Sequence, residues 1–312
     1  MLVPLDTTQA AFSSAASNSG STAMAAPDWK PPVFSGLVVQ KSQGGTPGYV
    51  RQGAQYRLLA RVIDDTSSNP PAGVDTVTGE ATNLTAAATA VPLPAGAVTV
   101  GATTYTHQSA LLTVAATKAA ASYALSATAR DLAAPANQSA AYAGTVVVDN
   151  TAPTALTLTI ANGGTIRRPD AGDTVTFVWS EVIDPISILA AWTGSASNVT
   201  VRITNGSTGN DVLTVWNSAN TAQLPFGSVN LGSGSYVGTT TTFGASSAAT
   251  RSTMTWTNDR IVVRFGTASA TATTNTATGT TVWTPSITVF DRAGNVSSGA
   301  TVTETGGADR EF

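Results

Sequence analysis

The chain has no cysteine, one histidine and 11% charged residues across its 312 positions. Without thiols there is no thiolate metal site, no cysteine nucleophile and no redox switch. A chain of this size can do without disulfides in an oxidising compartment, so their absence does not place it inside a cell. A single imidazole cannot build a multi-histidine metal centre. That residue, His107, lies in Tyr105-Thr106-His107-Gln108 between strand-like stretches and is expected at an exposed loop or edge. Ammonium groups occur only at Lys30, Lys41 and Lys118, and the net charge is -3. Such a chain projects no basic footprint for nucleic acid or an anionic membrane. No apolar run reaches the roughly 18 residues of a membrane-spanning helix. No charged segment followed by an apolar one opens the sequence, so any signal peptide is expected to have been removed already.

The motifs of catalysis are missing as well. There is no G-x-S-x-G, no P-loop and no G-x-G-x-x-G between a strand and a helix. Glu181 and Asp184 flank a strand end, where capping and solvation account for both. The sequence reads as that of a non-enzyme without a resident cofactor. Ca²⁺ held by oxygen ligands is the one metal chemistry the residues allow. Asp64-Asp65 with Asp75, and Asp131 with Asp149, are the candidates. Their loops lack Asp-x-Asp-x-Asp spacing, and ordinary acidic turns are the competing account.

What fills the chain instead is Thr, Ser, Ala, Gly and Val. At 312 residues two domains are the natural count. Short β-branched runs between turn signals predict an all-β fold. In residues 56–63, Tyr56, Leu58, Ala60 and Val62 fall on one face. Further strands are expected at 36–41, 74–84, 98–105, 111–115, 123–129 and 145–148. Beyond them the pattern predicts strands at 175–179, 199–203, 212–216, 253–256, 260–265 and 283–290. Residues 184–192 are the best helix candidate, with Asp184 as cap and Pro185 in the first turn. Residues 239–252 and 267–281 read as long loops or flat strands.

Residues 145–154, TVVVDNTAPT, organise the whole: a β-branched run stops at Asp149-Asn150 and Pro153 re-aims the chain. The string resembles the V-D-x-T-A-P joint between tandem bacterial Ig-like domains. Asp291-Arg-Ala-Gly-Asn295 resembles the D-x-A-G-N hairpin near the end of such modules, and Asp131-Leu-Ala-Ala-Pro-Ala-Asn137 is a blurred copy of it. The resemblance implies two tandem Ig-like β-sandwiches, at 31–150 and at 151–312, the second larger and with one short helix. Some surface Ig-like modules carry a Lys–Asn isopeptide staple. Lys41 and Lys118 are its candidates here, and Lys118, beside Ala119-Ala120, reads as exposed.

Residues 1–30 differ from the rest, with almost no charge and no hairpin signal. A disordered leader is one reading, and an arm that becomes a strand on a neighbour's sheet edge is the other. Ala10-Ala-Phe-Ser-Ser, Asn18-Ser-Gly20 and Ala25-Ala-Pro-Asp-Trp29 resemble the mature N-terminus of camelysin/TasA-like secreted proteins. In that family this segment is a donor strand in extracellular fibres. The resemblance implies an inserted strand at Ala10–Ser14 with Phe12 in a pocket, and Leu5, Ala10, Phe12, Ala16 and Met24 set against the next subunit. The function expected is that of a self-assembling filament subunit, secreted or on a bacterial surface, as in a biofilm matrix. A surface adhesin that binds a host or matrix ligand and a non-catalytic module of a secreted enzyme are the alternatives.

Overall fold

Where Val and Thr alternate with small residues, the chain becomes strand. In a computed structural model the protein is all-β, 43% strand and 1% helical. The structure describes residues 28–67, 70–245, 247–305 and 309–312. Of the arm expected over 1–30, residues 1–27, including Leu5, Ala10, Phe12, Ala16 and Met24, lie outside the described residues.

The first ten strands are β1 (Val33–Lys41), β2 (Tyr49–Val50), β3 (Gln55–Ile63), β4 (Val74–Glu80) and β5 (Val91–Pro92), then β6 (Ala95–Val100), β7 (Thr103–Gln108), β8 (Leu112–Thr113), β9 (Ala121–Asp131) and β10 (Tyr142–Val148). They form two five-stranded sheets. One runs β1-β3-β7-β6 with β8 on β3, and the other runs β2-β10-β9-β4-β5. Tyr56, Leu58, Ala60 and Val62 are all buried, as the period of β3 requires. They pack with Val39, Leu125, Ala127, Val146 and Val148 in one core.

The remaining strands are β11 (Ala155–Ala161), β12 (Thr174–Trp179), β13 (Ser197–Thr204), β14 (Val212–Asn217) and β15 (Ser228–Asn230), then β16 (Thr241–Phe243), β17 (Ser252–Thr257), β18 (Arg260–Arg264), β19 (Val282–Thr284) and β20 (Val302–Thr303). They make one ten-stranded sheet running from β11 to β20, and these two outer strands lie against each other. The sheet therefore curls over a second core. Its centre is aromatic: Phe177, Trp179, Phe226 and Trp283 meet with ring centroids 4.8–6.4 Å apart. The two cores share no residue.

Several expectations need correction. Residues 98–105 are the hairpin of β6 and β7, not one strand. Gly101 takes φ +59°, which reverses the chain and sets Val100 opposite Thr103. The helix expected over 184–192 shrinks to a 3-10 turn at Pro185–Ser187. Asp184 caps it as foreseen, but Ile188 and Trp192 are drawn into the second core and Ala191 adopts φ +60°, which no helix continues. The strand expected over 283–290 ends at Thr284, where Pro285 has no N–H to offer the ladder. His107 is not exposed: it sits on β7 at 8% exposure, with Nδ1 2.9 Å from the Thr106 hydroxyl, and burial lowers its pKa.

Candidate functional site

A buried ion pair, a cavity and one of three carboxylate clusters lie where the two cores meet, around residues 149–154. Asp184 is placed by the capped turn after β12, and Lys41 by the last residue of β1. The Lys41 ammonium and the Asp184 carboxylate lie 2.9 Å apart and are 2% and 1% exposed. The ammonium also donates to the carbonyls of Arg292 at 2.8 Å and Thr46 at 3.3 Å. The Asp184 carboxylate in turn accepts from the N–H of Thr46 and of Ile186. Each charge thus has several partners, which is what a buried pair needs to persist. Lys41 is accordingly engaged with a carboxylate, while Lys118 is half-buried with its ammonium 4.0 Å above the Tyr123 ring.

Beside this pair a cavity of about 740 Å³ opens between the outer face of the first sheet and the 184–193 segment. Gln40, Arg57, Val98, Ile186, Trp192 and Trp256 line it. Two of these lining residues also carry an enclosed polar atom, Gln40 Oε1 and Trp256 Nε1, that makes no hydrogen bond to the described residues.

A carboxylate triad occupies the other side of the joint. Asp149, Glu181 and Asp291 bring one oxygen each within 4.8 Å of one another. Asp291 is saturated: Oδ1 accepts from the N–H of Ala293, Gly294 and Asn295, and Oδ2 from the Asn295 amide. Gly294 at φ +92° lets the turn close around that carboxylate. Glu181 differs, since its Oε1 is enclosed without a partner. Burial, and then the charges of Asp291 and Asp149, push its pKa up to about 7. The triad could hold a hard cation through Glu181 and Asp149, with Asp291 as the preformed wall.

The same device stands at the other end of the first core. Asp28, Asp64 and Asp131 also bring an oxygen each within 4.8 Å. Asp131 accepts from the N–H of Ala133 and Asn137 and from the Asn137 amide, as Asp291 does from its turn. The Asn137 amide continues to the Asp28 carbonyl at 3.0 Å, and the Asn295 amide to the Asp149 carbonyl at 2.9 Å. Asp64 therefore lies with Asp131 and not with Asp75, and Asp149 lies with Glu181 and Asp291 and not with Asp131. The turn echo was legible in sequence. Its partners were missed, although Asp28 and Pro32 repeat the spacing of Asp149 and Pro153.

Family models, curated proteins and solved structures were compared with this chain, and none matches it.

Proposed function

We propose that this protein is a non-catalytic structural subunit of an extracellular bacterial filament, two tandem Ig-like sandwiches joined to their neighbours by an N-terminal arm that enters as a strand. The observation that carries the reading is the outer edge of β6, unpaired among the described residues. Sheet order puts β6 last, with β7 as its one strand partner among the described residues. Its six residues, AGAVTV, include neither charge nor proline, and the one device that blunts it is the bulge between Ala95 and Val98. The other long outer strands are covered: β1 lies against β10, and β11 against β20. Val98 and Val100 of β6 line the cavity at the joint, so an added strand would have room beside it for one large side chain such as Phe12. Twenty-seven residues precede Asp28. At ~3.3 Å each they reach about 90 Å, enough to cross to another subunit. The repeated Asp–Asn turn supports the tandem-module part of the reading.

Negative-stain microscopy tests it. The full chain should form regular fibres. A chain lacking residues 1–26 and a Val98→Lys chain, each checked for folding by circular dichroism, should stay monomeric. Fibres of normal length from either, or none from the full chain, would overturn the donor-strand reading. The cavity favours one rival, a ligand-binding surface module. On that account Trp256→Ala would abolish binding to a glycan array by a chain that never polymerises.

A further inference from the structure

We propose that Glu304, Asp309 and Glu311, together with the hydroxyl of Thr281, form a Ca²⁺ site that pins the C-terminal segment to the second core. The four residues come from three stretches, brought together by backbone pairing. Glu304 follows β20, and its N–H donates to the Thr281 carbonyl at 3.0 Å while its Oε1 accepts from the Thr281 N–H at 2.7 Å. Asp309 pairs with Gly279 through both of its backbone groups. Glu311 donates its N–H to the Tyr236 hydroxyl at 2.8 Å. Phe312 anchors the end, its ring packed on Tyr236 and Phe265 at 5.5 and 5.6 Å. Thus fixed, the three carboxylates bring one oxygen each within 4.8 Å of one another.

Two further atoms point to a ligand. Glu311 is 7% exposed and its Oε1 is enclosed without a hydrogen-bond partner. Thr281 is 1% exposed and its Oγ1 is equally enclosed and unpartnered. No ion pair within 4.0 Å among the described residues reaches any of the three acids, neighbouring Arg310 included. This separates the cluster from the Asp131 and Asp291 turns, whose oxygens are consumed by N–H donors. With only carboxylate and hydroxyl oxygen on offer, a hard ion is selected. The irregular geometry and the exposed side of Asp309, open to water ligands, suit Ca²⁺ better than the strict octahedron of Mg²⁺.

Hydrogen–deuterium exchange on the full chain, stripped with EDTA and titrated with CaCl₂, decides the matter locally. Ca²⁺ should slow exchange at 302–304 and 309–312. Glu311→Gln and the exposed Asp309→Asn should each weaken the affinity read from that protection by about 10–100-fold, at least the loss seen when a metal ligand's outer-sphere support is removed. Asp309→Asn serves as the variant that leaves the buried packing intact. No protection at the C-terminal segment in the wild-type chain, protection confined to residues around 149, 181 and 291, or unchanged affinity in both variants would each overturn the site.

Discussion

Lys41 and Asp184 show how much rests on single residues here. Both charges are almost fully buried, so removing one leaves the other stranded away from water. Lys41→Met is expected to cost about 3–5 kcal/mol in denaturant unfolding, and Lys41→Met with Asp184→Leu to recover a large part of it. A second residue-scale effect belongs to Glu181. Its pKa is near 4.5 in the unfolded chain and about 7 when folded, chiefly through burial. The folded state therefore binds the extra proton between these values, and stability falls as pH rises from about 4.5 to about 7. Glu311, raised to about 8 by burial, acts in the same direction over a wider range. Melting temperatures in EDTA should decline across this window, and Glu181→Gln should flatten the decline below pH 7. An unchanged slope in that variant would refute the assignment.

At the scale of elements, strands and turns follow local chemistry closely. The alternation in β3 and β9 translates directly into buried Tyr56, Leu58, Leu125 and Ala127. The Asp291–Asn295 turn forms because its carboxylate can collect three N–H groups at once. Asn295 then carries the turn's link to the joint through the Asp149 carbonyl. Asn295→Ala leaves that carbonyl and Asp291 Oδ2 short of a donor, a loss of about 1–3 kcal/mol. Asn137→Ala should behave alike, because the Asp28 carbonyl stands in the same relation to it. Chemical denaturation of the two variants checks the parallel, and a cost at one turn alone would break it. Where local pattern misled, packing had intervened. Ile188 and Trp192 gain more from the second core than a two-turn helix would return, since short helices are costly to nucleate.

The whole molecule is two cores held by a few crossing contacts. Besides the ion pair, the Arg292 guanidinium lies 4.3 Å over the Tyr49 ring. Thr151 and Ala152 of the joint are exposed and would be open to protease if the clamp let go. Limited proteolysis of the wild-type chain should cut slowly between 149 and 154. Lys41→Met should speed that cut while both cores stay resistant. Equal rates would show that the ion pair does not govern the joint.

The sequence by itself determined the all-β class, most strand positions, the face that β3 buries and the Asp-Gly-Asn turn chemistry. These depend on a two-residue period and on hydrogen bonds within a few residues, both written locally. Tertiary structure alone decided that Lys41 meets Asp184 across 143 residues, that His107 is buried, and that acids far apart in the chain gather into triads. Such meetings follow from sheet order and from how the second sheet curls. A short alternating pattern is compatible with many sheet orders, so it leaves these contacts open until the cores pack.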